Sequence, residues 1–163
     1  LVPFFHDCAG QMGDGIDSNC DELDCEGALS DSGDVYYLAC YGDNLLFDDS
    51  EALCVAAGYD GHATITSAED QAFLQEVGER TWMAAGTHIE WHLGLNDRSE
   101  EGTFVWTSGL PLTYTNWFSG RPLSGSDGAS QDCVTMSSAS PIHYKWTDQT
   151  CSPYGRRTIC ERR

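Results

Sequence analysis

A series of short aromatic and polar segments between Trp91 and Cys160 constrains the fold of this chain more than any other feature. Trp91, Leu93 and Leu95 alternate with other residues, as a half-buried β-strand requires. The later members of the series are, in chain order, residues 101–106, 114–117, 131–134, 145–148 and 158–161. Between 118 and 131 the chain is mostly small and polar, which predicts one long irregular loop among short strands.

The order of these segments resembles the C-type lectin-like domain, whose pattern is a W-I-G-L strand, an N-W before a long loop, E-D-C, W-N-D and a terminal I-C-E. His92 stands where the first Trp of W-I-G-L is usual. The resemblance implies an α+β fold with two helices, small antiparallel sheets and a long loop, stapled by disulfides. It covers residues 25–163, and residues 1–24 are then an acidic N-terminal extension.

Eight cysteines form an even set, which indicates a paired framework and an oxidising, secreted or extracellular location. No C-x-x-C and no cysteine–histidine cluster at zinc spacing occurs in the chain. The resemblance implies the pairs Cys25–Cys40, Cys54–Cys160 and Cys133–Cys151. Cys8 and Cys20 are left as a near-neighbour pair within the extension.

Capping patterns place the two helices. Asp48 with Glu51 predicts the start of the first helix, and Gly58 its end. Ser67 and Asp70 form a capping-box-like pair before the second helix. A hairpin is expected between Cys25 and Cys40, with its turn at residues 31–34.

Negative charge is concentrated in the first half of the chain. The net charge is −18, and residues 1–79 contain no Lys or Arg. Such a surface repels nucleic acid and anionic lipid, and the longest apolar run, residues 52–57, is too short for a bilayer. We therefore expect no nucleic-acid partner and no membrane insertion. Two interpretations account for the negative charge: attraction of cations or of a basic partner, and solubility in a saline environment.

Motifs for catalysis are missing from the sequence. It has no G-x-S-x-G, H-E-x-x-H or phosphate-binding glycine loop, and its histidines are scattered singly. His92 is expected to be an ordinary strand residue. The protein is therefore predicted not to be an enzyme.

The resemblance also implies where a sugar-binding calcium would lie. In such relatives a Glu-Pro-Asn or Gln-Pro-Asp triplet, a later Glu and the Asn-Asp of W-N-D supply oxygen ligands. Here the triplet reads Arg121-Pro122-Leu123, so a cation replaces one ligand and an apolar side chain another. We expect this principal calcium site to be absent and the Pro122 peptide to be a candidate for the cis form. Ligand contacts are instead predicted at Phe118, Arg121, Ser124, Ser126, Gln131, Tyr144, Thr147 and Asp148.

Two other acidic clusters could hold a structural calcium. The resemblance implies an auxiliary site at Asp97, Glu101 and Asp132, to which Asp127 could contribute. In the extension, Asp17, Asn19 and Asp21 have the alternate spacing of a calcium loop. The alternative interpretation of each cluster is an acidic turn exposed to solvent, with no bound ion.

The predicted function is non-catalytic recognition of a protein or atypical glycan ligand through the long loop. A calcium-dependent carbohydrate-binding lectin with an altered site is the second hypothesis. An acidic calcium-binding structural or matrix protein is the third. Oligomer formation is left open.

Overall fold

The computed structural model describes residues 25–30, 33–40, 44–123, 128 and 130–163. They form eight strands and two helices: β1 (Cys25–Leu29), β2 (Tyr36–Cys40), α1 (Phe47–Ala56), β3 (Gly61–His62), α2 (Ala68–Ala85), β4 (Glu90–Asn96), β5 (Val105–Trp106), β6 (Cys133–Ser137), β7 (Trp146–Gln149) and β8 (Arg157–Arg162). The predicted α+β class with two helices is confirmed. The extension, and with it Cys8, Cys20, Asp17, Asn19 and Asp21, lies outside the described residues, so the boundary at residue 24 stays a prediction.

One mixed sheet joins the strands in the order β1-β2-β8-β4-β6-β7, with β3 beside β8 and β5 beside β4. All pairings are antiparallel except that of β4 with β8, where Trp91 lies opposite Arg157. The prediction of antiparallel sheets alone was therefore incomplete. The last strand returns between the N-terminal hairpin and β4, so that the two halves of the fold share the buried Ile159 and Cys160.

The second helix begins as its capping pattern predicted. Ser67 is the N-cap, and its side chain accepts a hydrogen bond from the Asp70 N–H at 3.0 Å. The Asp70 carboxylate accepts from the Thr66 N–H at 2.9 Å, one residue earlier than in a standard capping box. The helix ends at Gly86, which adopts a left-handed conformation with φ of 66°.

The first helix begins two residues earlier than predicted. Leu46 is its N-cap, and no side chain caps it, so the predicted role of Asp48 was wrong. Instead, the Asp48 carboxylate accepts two hydrogen bonds from Arg98, at 2.6 and 3.0 Å. Gly58 follows the helix with φ of 86°, which fits the predicted end.

The main core consists of aromatic and aliphatic side chains between the sheet and α2. Trp91 and Trp146 are its largest fully buried members. The Trp91 indole donates to the Cys40 carbonyl at 2.9 Å, and the Trp146 indole donates to Gln71 at 2.7 Å. These bonds satisfy both indole N–H groups, so the rings of Trp91 and Trp146 are buried without an unpaired donor.

Three disulfides confirm the predicted pairing within the described residues: Cys25–Cys40, Cys54–Cys160 and Cys133–Cys151. Cys54–Cys160 ties α1 to β8, and Cys133–Cys151 closes the loop after β7 onto β6. Each bridge stabilises the fold by about 2–4 kcal/mol in the loop-entropy account.

Candidate functional site

A tight turn presents Arg121 at the start of the long loop. The Arg121 N–H donates to the Phe118 carbonyl at 2.9 Å, and Gly120 between them has φ of 81°. The Phe118 N–H donates to the Trp146 carbonyl at 2.8 Å, which fixes the turn to β7. The Arg121–Pro122 peptide is cis, as predicted.

Both carboxylate oxygens of Asp148 are hydrogen bonded within the protein. Oδ1 accepts from Arg121 Nη1 at 2.9 Å, and Oδ2 accepts from the Leu123 N–H at 2.7 Å. The Asp148 side chain is 0% exposed, whereas that of Arg121 is 25% exposed. An internal ion pair therefore stands where a cation with bound ligand would need free oxygens.

The same guanidinium nitrogen also fixes the neighbouring loop. Arg121 Nη1 donates to Gln131 Oε1 at 3.1 Å and to the Asp148 carbonyl at 3.0 Å. All the hydrogen bonds that the Arg121 side chain donates to described residues leave from Nη1. The structure thus joins Arg121 and Gln131 by a direct hydrogen bond, and their contact with a ligand stays a prediction.

Thr147 lies on the opposite face of β7 from Asp148, because neighbouring strand residues alternate in direction. Its hydroxyl is 3.0 Å from the Thr135 hydroxyl, which in turn donates to Glu90 at 2.7 Å. Glu90 forms an ion pair with Arg156 at 2.5 Å. Thr147 is therefore a buried member of a structural network.

Three of the predicted ligand residues are not available at the surface. Thr147 and Asp148 are buried, and Tyr144 is only 4% exposed because its ring packs beside Trp91 in the core. The prediction of surface contacts at these positions is corrected accordingly. Phe118 and Gln131 are half-buried, while Ser124 and Ser126 lie outside the described residues.

A second set of acidic side chains includes Glu101, which lies close to Gly128. A Cβ atom on this glycine would meet the Leu123 carbonyl at 2.7 Å and Glu101 Oε1 at 2.9 Å, so both neighbour it closely. Asp97 and Asp132 are joined by a backbone hydrogen bond of 3.1 Å from the Asp97 N–H. We call Asp97, Glu101 and Asp132 the acidic turn, because the charges of Asp97 and Asp132 act on Glu101; a calcium ion held by them stays a prediction.

Asp97 is the anchor of the acidic turn. Oδ2 accepts from the Gly102 N–H at 2.8 Å, whereas Oδ1 is buried with no hydrogen-bond partner among the described residues. A buried carboxylate oxygen without a donor is costly unless a cation or water compensates it.

The pKa values in the acidic turn reflect mutual repulsion. Partial desolvation, and then the charges of Asp97, Asp132 and Asp148, raise the pKa of Glu101. Desolvation and the charge of Asp97 raise the pKa of Asp132, and Arg98 partly opposes this. Raised carboxylate pKa values indicate a place where added positive charge would be favourable.

The two positions differ in their fit to calcium, which binds six to eight oxygens. The Arg121–Asp148 pair does not fit, because its one carboxylate is already hydrogen bonded twice and a guanidinium would repel the ion. The acidic turn does fit, through the free oxygen of Asp97 and the carboxylates of Glu101 and Asp132. Among the described residues no three His, Cys, Asp or Glu side chains are already arranged at metal-binding positions. Asp127 lies outside them.

Sequence reasoning missed a polar cluster beneath α1. Ser50 Oγ is 2.7 Å from His62 Nε2, and His62 Nδ1 is 2.8 Å from Glu51 Oε2. This order of hydroxyl, imidazole and carboxylate is that of an activated nucleophile. Ser50 is fully buried and its hydroxyl is 2.9 Å from the Phe47 carbonyl, so no substrate reaches it. The i, i+1 spacing of Ser50 and Glu51 gave no signal, because His62 comes from a separate strand.

Comparisons with known proteins agree on one family. The model described as "Lectin C-type domain" matches residues 43–162. Pulmonary surfactant-associated protein D of Bos taurus is 31% identical over 120 residues, which cover 74% of this chain and 29% of that protein. The "Alpha-N-acetylgalactosamine-specific lectin" of Patiria pectinifera is 32% identical over 117 residues, covering 69% of this chain and 66% of that protein.

Solved structures give the same fold. Human lithostathine superposes with a TM-score of 0.68 at 21% identity, covering 85% of this chain and 96% of that one. The chain spans between about a quarter and two thirds of the length of the relatives that it matches in sequence. In the part of the chain that the structure describes, neither helix combines the length and apolar character needed to cross a bilayer.

Proposed function

Because the chain belongs to the C-type lectin domain family, we propose that it is a non-catalytic extracellular recognition module. It contacts a protein or atypical glycan through the surface around Arg121, without a calcium ion bridging protein and ligand at Asp148. The observation that carries this proposal is the pairing of both Asp148 oxygens with donors of the protein itself.

Calcium bridging requires oxygens that can bind the ion and ligand hydroxyls together. Asp148 could bind a calcium ion only beside the Arg121 guanidinium, which repels the ion, unless it gave up Arg121 or the Leu123 N–H. Leaving a buried hydrogen-bonding group without its partner costs about 1–3 kcal/mol, and more for a charged group. The internal ion pair therefore competes directly with an ion at this position.

Arg121 still has donors for a ligand. Its Nη1 is engaged, and no described residue accepts a hydrogen bond from its Nε or Nη2. Those two nitrogens form the edge of the guanidinium that suits a carboxylate, a sulfate or a pair of carbonyl oxygens. The half-buried ring of Phe118 at the start of the same turn supplies an apolar neighbour.

A structural calcium in the acidic turn is the second element of the proposal. Asp97, Glu101 and Asp132 would hold the ion, which would supply positive charge to compensate their repulsion. The free Asp97 oxygen supports this assignment. The ion would stabilise the turn beside Gly128 without touching the ligand.

Several features support an extracellular, non-enzymatic role. The disulfides require an oxidising compartment, and a net charge of −18 disfavours nucleic acid and anionic lipid as partners. The same charge leaves an acidic structural or matrix role as a further candidate, and self-association is compatible with each of these roles.

Binding assays with matched variants test the proposal. A screen of glycans, anionic glycans and free monosaccharides, including N-acetylgalactosamine, is run with calcium and with chelator. Binding of any ligand that is found should persist in the presence of chelator. Arg121→Lys should weaken it about tenfold, because a lysine keeps the charge but not the planar fork. Arg80→Lys, at an exposed ion pair on α2, is the control and should leave binding unchanged.

The opposite result would favour the altered-site lectin. Tight binding of a free monosaccharide that disappears both with chelator and with Asp148→Asn would show that Asp148 releases Arg121 for calcium. Circular dichroism of each variant separates loss of binding from loss of the fold.

A further inference from the structure

Two imidazole rings are buried together between α1 and the sheet. The ring centroids of His62 and His92 are 5.9 Å apart. The Phe47 ring contacts both, at 4.8 and 5.5 Å. The three side chains are fully or almost fully buried, yet none belongs to the main aromatic core on the other face of the sheet.

His62 is held by α1. Its Nε2 is 2.7 Å from the Ser50 hydroxyl, and its Nδ1 is 2.8 Å from Glu51 Oε2. The same carboxylate oxygen accepts from the His62 backbone N–H at 2.7 Å. Glu51 therefore joins α1 to β3 through both the backbone and the side chain of one histidine.

Only one ring nitrogen of His92 has a hydrogen-bond acceptor among the described residues. Its Nε2 is 3.2 Å from the Leu45 carbonyl, an acceptor that requires Nε2–H. Its Nδ1 is buried without a hydrogen-bond partner among the described residues. A second proton on this ring would place a positive charge beside His62 with no acceptor to stabilise it.

The charged groups around the pair come from each packed element. Helix α1 contributes Glu51, and the start of that helix holds Arg98 through Asp48. β4 contributes Glu90, which pairs with Arg156, and β8 contributes Glu161, which pairs with Arg163. The anions Glu90 and Glu161 are thus already paired with arginines and are not available to His92.

We propose that the His62–His92 pair makes α1 an acid-sensitive element, which loosens from the sheet in mild acid while the aromatic core on the other face stays folded. The tyrosines of the main core do not titrate in acid, and desolvation raises the pKa of the buried Glu161 carboxylate that acts on Tyr37, so its protonation does not weaken this face. Acid therefore acts on one side of the sheet.

The direction of the effect follows from proton linkage. Burial, then the charges of His62 and Arg156, lower the pKa of His92 from 6.5 to about 3, against the hydrogen bond to Leu45. If α1 detached from the sheet, His92 would be exposed and would regain an ordinary histidine pKa. The detached state therefore binds more protons between pH 6.5 and 3. The stability of the attached state then falls as the pH is lowered through this window.

Glu51 acts in the same direction. Burial opposes its ionisation, but the hydrogen bonds and charge of His62 outweigh this and lower its pKa. A carboxylate with a lowered folded-state pKa stabilises the attached helix at neutral pH. That contribution is lost as the pH falls through the folded-state value.

Arg98 connects α1 to the acidic turn. Arg98, next to Asp97 in the acidic turn, is held by Asp48 of α1 at 2.6 and 3.0 Å and lies over the Phe47 ring. When α1 loosens, the acidic turn loses this anchor. Acid would therefore also reach the surface around residues 97–101 through the loss of this contact.

Hydrogen exchange at pH 7 and pH 5, corrected for intrinsic rates, tests the proposal. The opening constant of the α1 amides, residues 47–56, should rise about 25-fold, as expected for one histidine with an open-state pKa near 6.5. The β6 amides, residues 133–137, should change much less. His92→Phe keeps an aromatic ring against Phe47 and should remove most of the rise. His88→Gln, at an exposed histidine stacked on Trp82, should keep all of it.

Three results would overturn the proposal: equal α1 protection at both pH values, loss of β6 protection in step with α1, or a full rise in His92→Phe. If that variant does not fold, the imidazole resonances of the wild type decide. A His92 resonance that titrates near pH 6.5 with α1 still protected would contradict the buried, singly protonated ring.

Discussion

The Arg121–Asp148 pair and the acidic turn approach the same residue, Gly128, through Leu123 and Glu101, yet their negative charges are compensated in different ways. At Asp148 the charge is neutralised within the protein by a guanidinium and a backbone N–H. In the acidic turn Asp97 has a buried oxygen with no donor among the described residues, and Glu101 and Asp132 have raised pKa values. Neighbouring carboxylates can thus be either a structural anchor or a candidate cation site, depending on whether a cationic side chain reaches them.

The largest expected effect comes from breaking the internal ion pair. Asp148→Asn offers one oxygen where two donors now converge, so either Arg121 or the Leu123 N–H loses its partner. We expect a loss of about 3 kcal/mol in the free energy of unfolding, measured by urea denaturation without calcium. Asp49→Asn, at an exposed position on α1, is the control and should change stability by less than about 0.5 kcal/mol. Equal stability of the two variants would show that the ion pair contributes nothing.

An intermediate effect is expected from calcium itself. An ion bound only by the folded state raises the free energy of unfolding by about 1.4–2.7 kcal/mol at ten to one hundred times its dissociation constant. Asp97→Asn should lose this increment, because its one amide oxygen stays hydrogen bonded to the Gly102 N–H and an NH2 group then replaces the free oxygen. Asp148→Asn should keep it. A thermal titration of each variant measures the difference.

The extension needs its own control in that titration. If Asp17, Asn19 and Asp21 also bind calcium, Asp21→Ala should lose a separate increment. A calcium response that survives in Asp97→Asn but disappears in Asp21→Ala would move the structural ion from the acidic turn to the extension.

The smallest effect is electrostatic. The folded state raises the pKa of Asp132, so ionised Asp132 destabilises the calcium-free fold at neutral pH, and this penalty disappears as the pH falls below the unfolded-state value. Asp132→Asn should therefore be more stable than the wild type at pH 7 by a few tenths of a kcal/mol. Thermal melts at pH 7 and pH 3 should show the difference only at pH 7. A less stable variant at pH 7 would mean that the Arg98 attraction prevails.

Local sequence determined the scaffold of this protein. The alternation of Trp91, Leu93 and Leu95 gave a central strand, and Ser67 gave the start of α2, because strand periodicity and helix capping act over a few residues. The disulfide pairs followed from the resemblance of the whole series to a known family. The same resemblance identified Arg121 as the residue that replaces a calcium ligand.

Only the tertiary structure decided what these residues contact. Tyr144 is polar enough for a surface, but the turn before β7 places its ring beside Trp91 in the core. His92 was expected to be an ordinary strand residue, yet it meets His62 and Phe47 from two other elements. These contacts join residues 30 to 53 positions apart in the sequence, and the spacing of a sequence does not fix the distance between side chains on different elements. The sequence therefore shows that Arg121 stands beside a proline in the long loop. Only the fold makes Asp148 its partner, because β7 and the long loop come together only in the folded chain.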